Sequence, residues 1–151
     1  MIHKHIKPKA FFEQLNKNTM NLVDDFYDEH AQFIDPIVNF TSRAQIKTYY
    51  DNLYRNVESI RWEIPDEVRE GDKCTLVWKM TLTAKGFNGG KPVVVDGVSV
   101  IKFGGKEGKA IYHRDYFDMG AFVYEGLPIL GAVIRFVKGK MAGHQKDNSH
   151  E

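Results

Sequence analysis

The clearest candidate for acid–base chemistry is a histidine followed two residues later by an aspartate. His113 and Asp115 lie within an alternating run of apolar and polar residues from Ile111 to Met119. Because residues two apart in a strand share a face, both lie on the face that also carries Phe117. A carboxylate among such neighbours is desolvated and needs a cation or a hydrogen-bond donor beside it. This face is the first candidate for proton-transfer chemistry.

Lys79 is the predicted partner of Asp115. It belongs to an earlier alternating segment, on the polar face that also carries Thr81 and Thr83. If that face lines a cavity, Lys79 donates to Asp115 there. The alternative is a solvated ion pair on an open sheet face, and periodicity leaves both open. His113 either shuttles protons at neutral pH or holds Asp115 in place.

Three helices are predicted in the first 55 residues. The first begins at Pro8, whose missing N–H suits a first helical turn, and the second is capped by Thr19 and runs to about Tyr27. Residues 31–36 form a short extended segment, since the residue before a proline avoids the helical region. Ser42 and Gln45 then form a capping-box pair that begins the third helix. Its apolar stripe is rich in tyrosine: Ile46, Tyr49, Tyr50, Leu53 and Tyr54.

The second half of the chain predicts a sheet. Apolar and polar residues alternate over 59–69, 73–84, 91–103 and 109–119, with glycine-rich turns between the segments. Short connections make neighbouring strands antiparallel, so these four form a meander. A last helix is predicted over about 127–141, followed by a polar tail at 144–151. Residues 1–143 are expected to form one domain.

Composition narrows the possible functions. Hydrophobic residues make up 42% of the 151 residues and charged residues 27%, as in a globular domain. The net charge of +1 gives no electrostatic reason to expect nucleic acid as a partner. Aromatic residues, at 13%, suit either a rigid core or the walls of a small-molecule cavity.

The chain shows no sign of export, membrane insertion or metal binding. Cys74 is the single cysteine, which excludes an intrachain disulfide framework, and the histidines lack metal-ligand spacing. No apolar signal segment follows the first residues. The longest apolar stretch, 127–137, is shorter than the roughly 20 residues that span a bilayer. We therefore expect a cytoplasmic protein with no membrane span, no metal and no cofactor.

Two stretches resemble a known superfamily. Residues 113–118, with the sequence HRDYFD, resemble the end of the sheet in SnoaL-like proteins and in limonene-1,2-epoxide hydrolase. The layout from Thr19 through Asp35 and Pro36 to the Ser42 helix is similar to that of ketosteroid isomerases and other NTF2-like proteins. The resemblance covers most of 8–124. It implies an α+β NTF2-like cone, in which N-terminal helices and a C-terminal helix pack on a bent, mainly antiparallel sheet around an apolar pocket.

The epoxide hydrolase resemblance assigns a general acid but not its partners. Asp115 matches the aspartate that acts as general acid. That enzyme also uses an Arg-x-Asp on an earlier strand, where the arginine bridges two aspartates and the second aspartate activates water. The corresponding positions here read Lys79, Met80 and Thr81. By this resemblance, the chain has a cation, Lys79, at the position of the bridging arginine, but it lacks the water-activating carboxylate.

The ketosteroid isomerase resemblance assigns a general base. Asp35 matches an aspartate that stands before proline at the pocket mouth, although an Asp-Pro pair is also a common turn starter. Those isomerases stabilise an enolate with a tyrosine and a protonated aspartate. The aspartate position reads Ser99 here, and no tyrosine lies near Leu15.

Together these features predict one cavity with a shared site. Asp35 as base and Asp115 as acid or orienting group would act with His113 and Lys79 on a small apolar, oxygen-bearing molecule. The expected reaction class is isomerisation, cyclisation or hydrolysis. The alternative is a non-catalytic ligand-binding or dimerisation module. The expected walls and contacts of the pocket are Phe33, Tyr49, Tyr50, Ser99 and Phe117.

A homodimer is also expected. If Lys79 faces the cavity, alternation sends an apolar set to the opposite face of the sheet, and a second copy would cover it. The set is Leu76, Trp78, Met80 and Leu82. The rival explanation is that the 127–141 helix of the same chain covers that face.

Overall fold

Four long strands joined by short connections dominate the computed structural model, which describes residues 6–118 and 120. The elements are α1 (Pro8–Gln14), α2 (Asn21–Phe26), β1 (Tyr27–Ile34), β2 (Asn39–Phe40), α3 (Arg43–Tyr54), β3 (Val57–Glu70), β4 (Lys73–Ala84), β5 (Val93–Gly104) and β6 (Lys109–Phe117). The α+β prediction is confirmed, and the predicted strands differ from the observed ones by a few residues at their ends. The predicted helix over 127–141 and the tail at 144–151 lie outside the described residues.

The six strands form one mixed sheet in the order β2-β1-β6-β5-β4-β3. The β3 to β6 meander is antiparallel throughout, as predicted. β1 joins its free edge by pairing parallel to β6, with Phe33 opposite His113. This parallel contact brings the end of β1, just before Asp35, next to the strand that carries Asp115.

The third helix begins as the sequence predicts. The Ser42 hydroxyl accepts from the Gln45 N–H at 3.2 Å, and the Gln45 side chain accepts from the Thr41 N–H at 3.1 Å. Its inner stripe, which packs on the sheet, is buried: Ile46, Tyr49, Tyr50 and Tyr54. The capping box therefore fixes where the tyrosines enter the core.

The predicted role of Thr19 as a helix cap is wrong. Met20 occupies the cap position of α2, and no side chain caps that helix. The Thr19 hydroxyl instead accepts from the Asn16 N–H at 2.8 Å and donates to the Gln14 carbonyl at 2.9 Å. Thr19 closes the loop between α1 and α2, because a threonine side chain readily competes for nearby backbone groups.

The face of β4 that lines the core is the opposite of the one predicted. The apolar set of that strand (Leu76, Trp78, Met80 and Leu82) is buried. Lys79 is exposed on the outer face, opposite Glu63 on β3 and Asp96 on β5. Burying four large apolar side chains is far more favourable than burying an ammonium group, so the hydrophobic set decides which face turns inward. Because this set is buried, it cannot form the exposed dimer patch that the sequence predicts.

An aromatic cluster fixes the N-terminal helices against the sheet. Phe11 stacks on Phe26 at 4.2 Å between ring centroids and meets the edge of Tyr27 at 5.5 Å. Phe12 stacks on Trp62 at 5.2 Å and on His113 at 5.8 Å. α1 thus covers one face of the His113 ring. No helix among the described residues is long and apolar enough to span a membrane.

Candidate active site

Strand register gathers the polar residues of the site on the inner face of the sheet. Ser99 on β5 lies opposite Asp115 on β6 and opposite Leu76 on β4. One step along, Ile101 lies opposite His113. Directly opposed side chains on one face of an antiparallel pair are in contact distance. Ser99, His113 and Asp115 therefore form a compact polar group on an otherwise apolar face.

Within the described part of the chain, Asp115 is held through only one of its two carboxylate oxygens. Oδ1 accepts from the Ser99 hydroxyl at 2.5 Å and lies 2.6 Å from His113 Nε2. Among the described residues, none donates to Oδ2. The Asp115 side chain is 17% exposed and lines the cavity described below. Asp115 thus keeps one oxygen able to accept from a ligand.

His113 is fully buried behind Asp115. Its Nδ1 lies 2.6 Å from the Tyr27 hydroxyl, which lies 2.9 Å from the Tyr50 hydroxyl. Phe33 meets the edge of the imidazole at 4.9 Å between centroids. Both ring nitrogens are therefore occupied, so His113 reaches the cavity only through Asp115.

The direction of donation can be worked out from Trp78. An indole N–H can only donate, and Trp78 Nε1 lies 2.9 Å from Ser99 Oγ. Ser99 therefore accepts from Trp78 and donates its own proton to Asp115. An ionised Asp115 can only accept, so His113 donates through Nε2. For a neutral imidazole, Tyr27 then donates to Nδ1, and Tyr50 donates to Tyr27.

Asp35 is the second carboxylate, and donors surround it more completely. Its Oδ1 accepts from the backbone N–H groups of Ile37 and Val38 at 2.7 and 2.9 Å, and its Oδ2 accepts from the Tyr49 hydroxyl at 2.5 Å. Burial raises the pKa of Asp35, while these three hydrogen bonds oppose the rise and the Asp115 charge adds to it. Asp35 is therefore both a turn residue and a group with a perturbed pKa.

Both carboxylates line one small cavity between α3 and the sheet. Its volume is about 110 Å³. Apart from the two aspartates, the lining is aromatic or aliphatic: Phe33, Tyr49, Tyr50, Leu53, Tyr54, Val57, Ile60, Trp62, Trp78, Met80, Leu82 and Phe117. Burial raises the pKa of Tyr49 and of Tyr50 well above the usual value, so both hydroxyls stay protonated at neutral pH. The cavity is therefore largely apolar, and Asp35 and Asp115 are the two acidic groups in its described lining.

Most of the sequence-predicted residues meet at this cavity. Asp35, Asp115 and the predicted wall residues line it: Phe33, Tyr49, Tyr50 and Phe117. Ser99 and His113 lie directly behind Asp115 and bond it. Lys79 is the exception, because its side chain is on the outer face of the sheet beside Asp96. The predicted Lys79–Asp115 contact is therefore wrong, and Ser99 and His113 supply the donors instead.

Sequence reasoning missed Tyr27 and Trp78. Trp78 shows a usable signal, since it lies in the apolar phase of β4 and that phase faces the core. Tyr27 lies 86 residues from His113 along the chain, and no local pattern links the two. In the described part of the chain, no group of three acidic, histidine or cysteine side chains is arranged to hold a metal ion.

A known domain family matches most of this chain. The model of the SnoaL-like domain family matches residues 9–113, which is more than half of the chain. The chain belongs to the SnoaL-like domain family. This match confirms the predicted NTF2-like relationship, and it includes Asp35, Ser99 and His113 and ends two residues before Asp115. No curated protein matches this SnoaL-like chain.

Solved structures share the fold at low sequence identity. A protein of ketosteroid isomerase-like fold from Catenulispora acidiphila, in complex with trimethylamine, is 20% identical, with a TM-score of 0.63 over 80% of this chain and 89% of its own. A candidate SnoaL-like polyketide cyclase from Shewanella denitrificans is 15% identical, with a TM-score of 0.64 over 78% and 88%. An LEH-like epoxide hydrolase from Mycobacterium tuberculosis is 16% identical, with a TM-score of 0.62 over 83% and 86%. At these identities the likeness establishes the fold alone.

Proposed function

We propose that this SnoaL-like chain binds a small, largely apolar molecule with an oxygen group and exchanges protons with it through Asp115 and Asp35, without a cofactor. The observation that carries the proposal is that two carboxylates line one cavity whose other walls are apolar. Low-dielectric surroundings of this kind strengthen interactions with charge that develops in a reaction. Isomerisation, cyclisation and hydrolysis are the reaction classes that such a pair supports.

The donor pattern supports different roles for the two carboxylates. Asp115 presents an unoccupied oxygen within the described structure, and His113 and Ser99 fix its other oxygen. Asp35 has a pKa raised by burial, which brings a carboxyl group closer to the pH range where it can also donate. We therefore assign Asp115 as the proton acceptor and Asp35 as the second acid–base group. This reverses the roles that the isomerase and hydrolase resemblances imply.

Epoxide hydrolysis by the familial mechanism receives no support from β4. That mechanism needs a cation bridging two aspartates and a water-activating carboxylate on this strand. The residues of β4 that line the cavity are Trp78, Met80 and Leu82, which supply neither group. The proposal therefore favours proton transfer at a carbon or oxygen acid over the opening of an epoxide by activated water.

The test is hydrogen–deuterium exchange and turnover of single-ring ketones, enones, hydroxyketones and epoxides in D₂O, followed by mass spectrometry. We expect Asp115→Asn to reduce the exchange or turnover rate by about 100-fold or more, the usual scale for removing a general base. Asp35→Asn should also lower the rate, and outer-face Asp96→Asn serves as the matched control. If neither Asp115→Asn nor Asp35→Asn differs from the wild type, the catalytic role fails.

A second candidate function is ligand binding without catalysis, or a dimerisation module. The observation in its favour is that the protein itself already supplies five donors to the two carboxylates. Carboxylates so well bonded can serve to hold the fold rather than to react. Binding of single-ring ligands without any turnover across the panel would favour this candidate.

A further inference from the structure

Nearly all hydrogen-bond donors around the cavity are already used. The Tyr49 hydroxyl donates to Asp35, and the Trp78 indole donates to Ser99, which in turn donates to Asp115. The Tyr50 hydroxyl is paired with that of Tyr27. These side chains are the groups that would otherwise bind a carbonyl or an epoxide oxygen. The wall of the cavity is therefore poor in donors.

Tyr54 carries the remaining hydroxyl. Among the described residues, no hydrogen bond joins the Tyr54 hydroxyl to another group, and Trp62 Nε1 is buried without an acceptor. The two groups are still close enough for Trp62 to lower the pKa of Tyr54, although burial raises that pKa more strongly. The contact between them is weak, so the Tyr54 proton is available to an acceptor.

The same wall of the cavity has an unused hydrogen-bond acceptor on Asp115. Asp115 Oδ2 has two lone pairs with no donor among the described residues, and it carries negative charge when ionised. Asp115 and Tyr54 both line the cavity, and the Asp115 charge adds to the rise in the pKa of Tyr54 that burial causes. The cavity thus offers a charged acceptor together with one neutral donor.

We infer that the polar group of the ligand is a hydroxyl that donates to Asp115 Oδ2 and accepts from Tyr54. This inference rests on the proposed function and names its ligand class as single-ring alcohols and phenols. A ketone, ether or epoxide can accept from Tyr54 but leaves Asp115 without a donor. An ammonium group can satisfy Asp115 but has no lone pair for Tyr54. Of these groups, only a hydroxyl serves both.

The volume of the cavity limits the ligand to about one ring. A cavity of about 110 Å³ is of the same order as the roughly 150 Å³ that accommodates benzene in an engineered protein core. Phenol, toluene and anisole are therefore suitable probes. Phenol and toluene differ little in shape, and only phenol donates. Anisole keeps an oxygen that accepts but cannot donate.

The experiment is a titration of ¹⁵N-labelled protein with each probe, read at the indole N–H signals of Trp62 and Trp78. We expect phenol to bind at least tenfold more tightly than toluene or anisole, since a hydrogen bond to a charged acceptor is worth about that ratio. Equal affinities would overturn the inference and leave the apolar pocket standing. Tighter binding of anisole would also overturn it. No binding of any probe would remove both the inference and the proposed function.

Two variants test which groups provide the preference. Asp115→Asn can still accept from Ser99, but it replaces the free acceptor with an amide donor, so the phenol preference should disappear or shift to anisole. Tyr54→Phe should weaken phenol binding while leaving toluene binding unchanged. Asp96→Asn on the outer face is the control and should retain the tenfold preference. Retention of that preference in both Asp115→Asn and Tyr54→Phe would overturn the assignment.

Discussion

At the scale of single residues, the two carboxylates differ in how completely the protein satisfies them. Over residues 6–118 and 120, Asp35 accepts three hydrogen bonds spread over both oxygens, whereas both donors to Asp115 share Oδ1. A carboxylate has about four acceptor sites, so Asp115 retains a whole oxygen for a ligand. The difference makes Asp115 the more reactive position even though Asp35 is the one with the raised pKa.

The hydrogen bond from Tyr49 predicts how the pKa of Asp35 responds to substitution. Tyr49 stabilises the ionised form of Asp35, so Tyr49→Phe should raise the pKa of Asp35 further above its ordinary value. Carboxyl ¹³C chemical shifts measured across a pH titration would report the change. Tyr116→Phe, on an exposed tyrosine, is the matched control. A pKa of Asp35 that stays the same or falls in Tyr49→Phe would contradict the prediction.

The raised pKa of Asp35 also predicts the pH dependence of stability. The folded chain holds the Asp35 proton more tightly than the unfolded chain, whose carboxyl titrates near 3.8. The free energy of unfolding therefore falls as the pH rises from about that value through the folded pKa, and is level above it. Asparagine cannot ionise, so the stability of Asp35→Asn relative to wild type should increase with pH over this window.

Urea denaturation at a series of pH values from 3 upward measures this effect. Val94→Ala, at an exposed position without a titratable group, should give a difference from wild type that is constant with pH. A constant difference for Asp35→Asn as well would mean that burial of Asp35 does not perturb its titration.

At the scale of secondary-structure elements, the β4–β5 pair holds the site together by a close approach. Gly97 lies opposite Trp78, and a Cβ on Gly97 would fall 2.3 Å from atoms of the indole ring. The missing side chain lets the indole lie across β5 and place its N–H on Ser99. Gly97 is therefore needed for packing rather than for an unusual backbone conformation.

Gly97→Ala should destabilise the protein by about 1–3 kcal/mol, the usual cost of overpacking a core. It should also shift the indole signal of Trp78, because the ring must move away from Ser99. Trp78→Phe in the same chain should recover part of the lost stability, since the smaller ring removes the clash. Gly104→Ala is the control, as its Cβ would meet mainly the flexible end of Ile111. Equal effects of Gly97→Ala and Gly104→Ala would contradict this account.

The same elements show what the sequence predicts and what it does not. Alternation over 57–117 predicts the four meander strands, because a half-buried strand must separate apolar from polar residues at a period of two. The alternation in β4 also indicates the correct orientation of that strand, because the apolar set that includes Trp78 faces the core. The resemblance to the epoxide hydrolase favoured the opposite phase at Lys79, and burial energetics overruled it. A motif carried over one residue out of register moves every side chain to the other face.

At the scale of the whole molecule, the site depends on contacts between distant parts of the chain. β1 pairs parallel to β6, and this contact brings Phe33 and Tyr27 to His113. A parallel pairing across about 80 residues leaves no local trace in the sequence, which is why Tyr27 was not among the predicted residues. Asp115 was predicted from strand alternation, which is a local pattern. Asp35 was predicted from a superfamily resemblance, which carries non-local information that propensities lack.

We predict a homodimer formed through the outer face of the sheet. Val77, Val94 and Tyr116 are exposed there by 37%, 53% and 49%. A second copy would remove these side chains from water together, and a twofold arrangement lets the same surface cover itself. Light scattering coupled to size-exclusion chromatography should give the mass of two chains at micromolar concentration.

Charge substitutions distinguish this interface from the one that the sequence predicted. Tyr116→Glu places a carboxylate on the outer face and should give a folded monomer, with an unchanged circular dichroism spectrum. Trp78→Glu would bury a charge in the core, so it should unfold the chain rather than separate two subunits. A folded monomeric Trp78→Glu would restore the original interface. A wild-type mass of one chain would rule out the dimer. The outer face of the sheet would then be exposed to water in the native state.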